Sequence, residues 1–294
     1  MRNLLIGSRA LSYWFPEMKI KDSADFDVIC NKPPELSGNN IEYFVKKDSR
    51  VTTHISTEAK IEWHDRWLLN NSELGSYTTD SAFIEIQGIR YHVVAPIGLA
   101  IIKRSHLWRD LKWNKHITHY HKYLKEFEQY YTDYDRSLLT ERTAMTMQRY
   151  PQGNPNLMQS KEDFFDDAVE KLYDHDYLHE LYAHYDKPLY TKLLRQADLA
   201  WCEESKWQML SHEDKLKCIQ EEVYVIATER YLVRNNWKYP AKRAYMQALQ
   251  KVCTTLCSGW FRDYSIDYYP ELVHAFDESK VQKIKLVLTH EKGV

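Results

Sequence analysis

The 294-residue chain has little glycine and cysteine, no long apolar run and almost no net charge. Its five cysteines form no CxxC pair, which argues against a disulfide framework and against a cysteine zinc site. No run approaches the ~18–20 consecutive apolar residues of a membrane-spanning helix, and the first apolar segment is too short for a signal peptide. The sequence therefore predicts a cytoplasmic protein with no membrane partner.

Charge gives no global indication of a partner, because the 40 basic and 42 acidic residues nearly cancel. The 8 glycines contrast with 22 tyrosines and 9 tryptophans, whereas average usage would give about 7% glycine. Such a composition is typical of helices packed through large rings. Each glycine that occurs is therefore a candidate for a special backbone conformation.

The hydrophobic pattern changes near Pro96. Before it, short apolar runs are separated by turns; after it, the period is helical. This predicts an α+β fold, with a small mixed β-sheet domain over 1–125 and a predominantly α-helical domain over 126–294, joined by a loop-rich connection near 150–160. The predicted strands are 3–7, 26–30, 41–45, 60–64, 82–86 and 89–94, and the predicted helices are 9–15, 97–125, 161–184, 188–203, 212–234, 241–268 and 278–288.

Acidic side chains occur on two of the predicted strands. Asp25 and Asp27 are two residues apart, so a strand points them to the same face. Two carboxylates side by side repel each other unless a cation lies between them, and Mg²⁺ is typically held by one or two carboxylates together with substrate phosphate oxygens. Glu62, on a neighbouring strand, is a candidate third ligand.

The segment Gly7-Ser8 follows the first apolar run and opens a predicted helix. A glycine lets the backbone approach a phosphate closely, and a helix N-terminus offers unpaired N–H groups to it. Ser8 adds a hydroxyl and Arg9 a positive charge. Together with the carboxylates, this segment indicates phosphoryl transfer.

The motifs resemble those of the nucleotidyltransferase superfamily, which includes DNA polymerase β, CCA-adding enzymes and aminoglycoside nucleotidyltransferases. The resemblance implies that Gly7 and Ser8 form the triphosphate-binding turn. It also implies that Asp25, Asp27 and Glu62 are the catalytic carboxylates and hold Mg²⁺ or Mn²⁺. The expected activity is transfer of a nucleoside monophosphate from a triphosphate such as ATP to an acceptor hydroxyl, with release of pyrophosphate.

The resemblance covers roughly the first 125 residues. Residues 86–96 are similar to the hairpin strand that precedes the first long helix of small members, and Leu99 to Lys103 are similar to the start of that helix. Residues 102–107 and 171–180 resemble uncharacterised nucleotidyltransferase-like proteins of bacterial viruses, which implies a host cytoplasmic location. The acceptor stays open among RNA, tRNA, other nucleic acid, protein and small molecules.

A basic stretch runs from Lys103 to Lys125, with histidines, tryptophans and tyrosines between the basic residues. Basic side chains beside stacking rings suit a triphosphate or single-stranded RNA. A solvated basic face with aromatic packing opposite explains the pattern equally well. Lys103 is the residue predicted to contact phosphate, and His106 is a second nucleotide-binding candidate.

A weaker candidate site lies at His175, Asp176 and His179. On a helix the two histidines are one turn apart and share a face, a spacing that a metal can use. Packing against tyrosines or neighbouring carboxylates is the alternative interpretation. The His-Asp pair also resembles HD-type phosphohydrolases, so two alternatives to the transferase stay open: a metal phosphohydrolase in the helical region, and a non-catalytic nucleotide or nucleic-acid binding protein.

Overall fold

A computed structural model describes residues 2–22, 24–31, 42–45, 51–55, 60–108, 113–149, 175–186, 204–254 and 259–291. The chain divides into two compact units, residues 1–149 and 150–294. The first unit contains a β-sheet and several helices, and the second is helical in its described residues. The predicted α+β class, with a sheet domain and a helical region, is confirmed.

The strands and helices of the first unit alternate along the chain. A 3-10 helix over Leu68–Tyr77 is interrupted by a kink at Leu69 and Asn70, and shorter non-α turns span His106–Trp108, Tyr120–Leu124 and Lys125–Tyr130. The strands are β1 (Leu4–Ile6), β2 (Phe26–Cys30), β3 (Glu42–Val45), β4 (Val51–Ile55), β5 (Lys60–Asp65), β6 (Phe83–Ile86) and β7 (Ile89–Val93), and the α-helices are α1 (Gly7–Trp14), α2 (Pro96–Ser105), α3 (Trp113–His119) and α4 (Asp133–Arg149).

Among the described residues, seven strands form one mixed sheet in the order β3-β4-β5-β2-β1-β7-β6. Strand β2 pairs with β1 in antiparallel and with β5 in parallel orientation. Strand β1 is buried along its whole length, as expected for a short apolar run at the centre of a sheet. In β5 the alternation is plain: Ile61 and Trp63 are buried, whereas Glu62 and His64 lie on the other face.

The predicted hairpin and the start of the helix after it are confirmed. Gln87 and Gly88 have φ values of 51° and 75°, which is the left-handed pair that a two-residue hairpin turn requires. Helix α2 begins at Pro96, whose missing N–H costs nothing in a first helical turn. Strand β4 and the 3-10 helix were not predicted.

The prediction of one long helix over 97–125 is wrong. Helix α2 ends at Ser105, whose hydroxyl donates to the carbonyl of Ile102 at 2.9 Å. The chain then forms a short 3-10 turn, and helical structure is described again from Trp113. Both sides of this break are buried, since Leu107 and Ile117 are each 0% exposed. The helical period in the sequence therefore reflects two packed segments and not one straight amphipathic helix.

Helix α4 belongs to the first unit, so the division of the chain differs from the predicted boundary after residue 125. The side chain of Asp135 accepts hydrogen bonds from the backbone and the hydroxyl of Thr132 at the start of α4. The hydroxyl of Tyr77, in the 3-10 helix, donates to the same carboxylate. These contacts hold α4 against the sheet unit, and α4 also packs on α2. The loop-rich stretch predicted near 150–160 lies outside the described residues.

The described part of the second unit is helical. Rings pack at its centre: Trp207 lies 4.8 Å from Phe261, and Tyr182 stacks on Tyr224 at 5.3 Å between centroids. The predicted helix 188–203 lies outside the described residues, as does most of 161–184. The helices are α5 (His175–Asp186), α6 (Glu204–Met209), α7 (His212–Ile226), which continues as a π-helical segment over Ala227–Val233, α8 (Ala241–Thr254), α9 (Gly259–Asp267), α10 (Tyr269–His274) and α11 (Glu278–Glu291).

Within the described ranges, none of the helices is both long and apolar enough to cross a membrane.

Arg142 of α4 ties this helix to a strained turn and is expected to be important for stability. It is 1% exposed, and its Nη1 donates to the carbonyl of Leu69 and to Oδ1 of Asn71 at 3.1 Å. Leu69 has a φ of 51°, a left-handed conformation that is unfavourable without glycine. We expect Arg142→Met to lower the free energy of unfolding by about 2–3 kcal/mol, because two buried acceptors lose their donor.

Urea unfolding followed by circular dichroism measures this loss. The matched control is Arg136→Met in the same helix, since Arg136 is exposed. An exposed substitution of this kind changes stability by no more than about 0.5 kcal/mol. Equal midpoints for the two variants would contradict a structural role for Arg142.

Candidate functional site

Three side chains from the two central parallel strands converge on one face of the sheet. In the sheet register, Asp27 of β2 lies between Ile6 of β1 and Glu62 of β5. His64 lies two residues after Glu62 and thus on the same face. One donor atom from each of Asp27, Glu62 and His64 lies within 4.8 Å of the other two, and this is the sort of group that can hold a metal ion.

Histidine 64 contacts both carboxylates through the same nitrogen. Its Nε2 lies 3.4 Å from Oδ1 of Asp27 and 3.5 Å from Oε1 of Glu62. The three side chains are largely buried, with 15% exposure for His64, 23% for Asp27 and 12% for Glu62. The carboxylates are thus held together in a partly desolvated place, where a cation interacts with them more strongly than in open water.

Gly7 makes room for the carboxylate of Asp27. It follows β1 directly and has a φ of 72°, in the left-handed region. A Cβ atom at this position would lie 1.9 Å from Oδ2 of Asp27, so no side chain fits. The sequence predicted Gly7 as a place where a phosphate approaches the backbone; in the structure the space beside it is taken up by the aspartate.

The charges around Asp27 keep it ionised. Burial opposes the charged form, but the hydrogen bond and charge of His64 and the charges of Lys103 and Lys115 outweigh it, so the pKa of Asp27 is lowered below its usual value. Asp27 is therefore a carboxylate throughout the neutral pH range. Asp27 thus supplies an anionic oxygen, the kind of donor that a divalent cation requires.

A cavity of about 360 Å³ is lined by Ser8, Asp25 and Lys60, which lie close along the chain to Gly7, Asp27 and Glu62, and most of its charged lining residues are basic. Four lysines line it, and Asp25 is the one acidic residue among the lining residues. Ser8 also lines it; this residue is 6% exposed, and its hydroxyl has no hydrogen-bond partner among the described residues. The lysines are Lys19, Lys21, Lys60 and Lys115.

Helix α1 begins next to this cavity and has no side-chain cap. Its N-cap residue is Ile6, which cannot accept a hydrogen bond through its side chain, and its first turn has no acidic residue. The first N–H groups of the helix therefore have no side-chain acceptor at the cap. Together with the hydroxyl of Ser8, they suit an anionic ligand such as a phosphate.

His119 lines the same cavity in its neutral form. Burial, followed by the charges of Lys103, Lys115 and Lys122, lowers the pKa of His119 to about 3. Its Nδ1 atom has no hydrogen-bond partner among the described residues. A neutral imidazole in this cavity can donate one hydrogen bond to a ligand or accept one from it.

The structure separates Asp25 from the other predicted carboxylates. Asp25 precedes β2, and its Oδ2 lies 3.4 Å from Nζ of Lys60. It is not among the three residues whose donor atoms converge. The converging group combines Asp27 and Glu62 with His64, a residue that the sequence did not single out, and the metal-ligand role of Asp25 stays a prediction.

The other predicted nucleotide-binding residues have different surroundings. Arg9 donates to the backbone carbonyls of Asp22 and Ala24 and lies over the ring of Phe26, so it braces the segment that leads into β2. Its guanidinium is thereby occupied by protein groups.

Of the predicted contacts from α2 and the turn after it, Lys103 is buried and His106 is half-buried. Lys103 is 3% exposed, with its Nζ 3.5 Å from Nδ1 of His116, and the ring of His106 packs edge-to-face on that of His116. Lys103 thus acts on Asp27 through its charge and not from an exposed face.

His64 and Lys115 are the site residues that sequence reasoning missed. The alternating pattern of β5 placed His64 on the face of Glu62 and could have found it. Lys115 was counted only as one member of the basic stretch; its place beside the cavity depends on the break after Ser105.

The second predicted site is partly visible. His179 of α5 is 1% exposed, with its Nε2 3.1 Å from Oε1 of Glu221 and 3.8 Å from Oε2 of Glu222. This matches the interpretation in which the histidine binds neighbouring carboxylates. The side chains of His175 and Asp176 lie outside the described part of the structure, so the predicted metal pair there is not tested.

A family model described as Domain of unknown function (DUF7275) matches residues 98–285. The match covers more than half of the chain, and the protein belongs to this family. The matched region begins in α2 and ends in α11, so it includes Lys115 and His119 but not strands β1, β2 and β5. A comparison with curated proteins finds no match.

Proposed function

We propose that this protein is a divalent-metal-dependent nucleotidyltransferase, which moves a nucleoside monophosphate from a nucleoside triphosphate to an acceptor hydroxyl. The observation that carries this proposal is the pairing of Asp27 with Glu62 across two parallel strands, directly beside Gly7 and the uncapped start of α1. A cavity lined by four lysines adjoins this place. Carboxylates for a cation and basic groups for phosphates thus lie side by side.

The residues present fit a divalent cation. Asp27 and Glu62 supply oxygen donors close together, and the lowered pKa of Asp27 keeps it deprotonated at neutral pH. A bound divalent ion would neutralise charge on the triphosphate and polarise its α-phosphate. Asp27 and Glu62 would hold it.

The chain's own groups then bind and orient the substrate. The first N–H groups of α1 and the hydroxyl of Ser8 bind phosphate oxygens, and Lys115 adds positive charge at the cavity edge. Glu62 accepts the proton of the acceptor hydroxyl. The acceptor oxygen forms a bond to the α-phosphorus, the bond from that phosphorus to the β-phosphate oxygen breaks, and pyrophosphate leaves with the electron pair.

The experiment is to incubate the purified full-length chain with each triphosphate labelled at the α-phosphate. Mg²⁺, Mn²⁺, Co²⁺ or Zn²⁺ is supplied with each, and RNA, DNA and protein acceptors are tried in turn. We expect pyrophosphate release coupled to transfer of the label, and loss of both when a chelator is added. Binding of a triphosphate without pyrophosphate release under any of these conditions would contradict catalysis.

That contrary outcome would favour the second candidate function, a non-catalytic nucleotide-binding protein on the same scaffold. One observation favours it: Asp25 is paired with Lys60, so this carboxylate is not placed with Asp27. The lysine-lined cavity would then serve for binding alone.

Lys115 is expected to contribute to triphosphate binding. It is exposed, it lines the cavity, and its charge reaches Asp27. We expect Lys115→Gln to weaken triphosphate binding about 10-fold, the lower end of what a hydrogen bond to a charged group contributes. The dependence of binding on salt should also become weaker, because one cationic contact is gone.

Isothermal titration calorimetry at two salt concentrations measures both effects. Lys122→Gln is the control, since Lys122 follows in the same segment but lines a separate cavity. Equal weakening by the two substitutions would indicate a general effect of net charge and would contradict a local role for Lys115.

A further inference from the structure

The distances around His64 are long for hydrogen bonds and also fit the spacing of ligands around one metal ion. Its Nε2 lies 3.4 Å from Asp27 and 3.5 Å from Glu62. Hydrogen bonds from nitrogen to oxygen are usually 2.7–3.2 Å long. Metal–ligand bonds of about 2.1 Å at tetrahedral angles place neighbouring donor atoms about 3.4 Å apart. The two separations from Nε2 thus equal two edges of such a site, and the two carboxylate oxygens lie within 4.8 Å of each other.

The chemistry of these donors disfavours Mg²⁺ as the resident ion. Magnesium is a hard cation that prefers six oxygen ligands and keeps several of its waters. An imidazole nitrogen instead suits zinc and other first-row transition ions. A set of two carboxylates and one histidine therefore belongs to a different class of metal from the one that a purely acidic set predicts.

The position of Asp25 supports the same distinction. The residue that would complete an all-carboxylate set is paired with Lys60 at 3.4 Å, outside the converging group. His64 stands in the group instead. Three protein ligands also leave a coordination position open for water or substrate, as in catalytic zinc sites.

A second observation indicates that a ligand binds here. Ser8 is the neighbour of Gly7, which touches Asp27, and Ser8 lines the adjoining cavity with a buried hydroxyl that lacks a hydrogen-bond partner within the described residues. A buried hydroxyl without a partner is unfavourable unless a ligand or a water pairs with it. A polar ligand that binds in this cavity could therefore pair with the hydroxyl of Ser8, close to the three proposed metal ligands.

We propose that Asp27, Glu62 and His64 together bind one first-row transition-metal ion of the zinc and cobalt class in preference to Mg²⁺. The ion's role in catalysis rests on the proposed function, whereas its binding does not. This assignment replaces Mg²⁺, one of the two ions predicted from the sequence, by an ion that binds an imidazole ligand more readily.

The first test uses the wild-type full-length chain, freed of metal with a chelator. Equilibrium dialysis against Zn²⁺, Co²⁺ and Mg²⁺ in separate experiments, with bound metal measured by atomic absorption, gives the three affinities. We expect Zn²⁺ and Co²⁺ to bind at one equivalent per chain and on the order of 100-fold more tightly than Mg²⁺. Affinity for Zn²⁺ no higher than that for Mg²⁺ would overturn the proposal.

The second test locates the ion. His64→Gln should weaken Co²⁺ binding by about 100-fold, because one of three protein ligands is lost, and should change the visible absorption of bound Co²⁺. The same substitution should change the affinity for Mg²⁺ only slightly. The controls are Asp80→Asn and His274→Gln, which alter an exposed carboxylate of the first unit and an exposed histidine of the second, and both should bind Co²⁺ as the wild type does.

Binding that is unchanged in His64→Gln, or lost equally in His274→Gln, would overturn the assignment. Circular dichroism checks that the variant is folded; if it is not, Glu62→Gln provides the same comparison, and the wild-type selectivity stands by itself. The experiments distinguish failure of this proposal from failure of the proposed function. Tight Co²⁺ binding through His64 without pyrophosphate release would contradict only the transferase activity. Pyrophosphate release in Mg²⁺ that is unchanged in His64→Gln would contradict only the metal assignment.

Discussion

Substitution of Asp27 by asparagine is expected to reduce pyrophosphate release about 10³-fold, the upper end of what one electrostatic group supplies. Asparagine has nearly the same shape, so it fits beside Gly7, but it lacks the negative charge that a cation needs. Asp27 is the residue on which the geometry converges: it lies between β1 and Glu62 and contacts His64. Steady-state assay of pyrophosphate with saturating triphosphate measures the effect.

The control is Asp25→Asn, which makes the same chemical change two residues earlier. Since the carboxylate of Asp25 is paired with Lys60 and lies outside the converging group, we expect a loss of less than about 10-fold. Comparable losses in the two variants would contradict the geometry and would favour the pair of metal ligands predicted from the sequence. Thermal unfolding of both variants should differ little from the wild type, which separates loss of activity from loss of fold.

Local features of the first unit could be predicted because they depend on short stretches. Fewer than eight residues determine each of three such features. These are the apolar run ending at Gly7, the alternation in β5, and the hairpin turn at Gln87 and Gly88. Side-chain period and turn chemistry decide such elements locally. The start of α2 at Pro96 is of the same kind.

The site itself depends on pairings that sequence patterns do not specify. Asp27 meets Glu62 because β2 and β5 are parallel neighbours in this register, although 35 positions separate the two residues. The same separation in sequence, 35 positions, lies between Asp25 and Lys60, which form an ion pair where these two neighbouring strands begin. The period of a strand indicates its two faces but not its neighbour, so the predicted pair Asp25 and Asp27 was a statement about one strand alone.

The limits of the sheet unit were missed for a related reason. Helix α4 has a cap at Thr132 and Asp135, which is a local signal. Its attachment through Tyr77 and Arg142 is not local, since these contacts span more than 55 residues. A helical period is the same whether a helix packs on a sheet or on other helices, so it does not indicate which unit a helix such as α4 joins.

Gly7→Ala is expected to have a large effect on both stability and activity. The left-handed φ of 72° costs about 1–2 kcal/mol for a residue with a Cβ atom. Overpacking against Asp27 costs about 1–3 kcal/mol more, because the new atom would lie 1.9 Å from Oδ2. We therefore expect the free energy of unfolding to fall by about 2–5 kcal/mol.

The carboxylate of Asp27 has to move if Gly7→Ala folds, because the added methyl group occupies its place. A displacement of about 1 Å at a reacting centre lowers the rate about 100-fold. Pyrophosphate release should therefore fall by about this factor at temperatures where the variant is still folded. Co²⁺ affinity should fall with it, since Asp27 is a proposed ligand. Gly75→Ala is the control, because nothing lies within 4 Å of a Cβ atom there. A Gly7→Ala variant with wild-type stability and metal affinity would show that the aspartate does not lie against this turn, and the site as a whole would then have to be placed elsewhere.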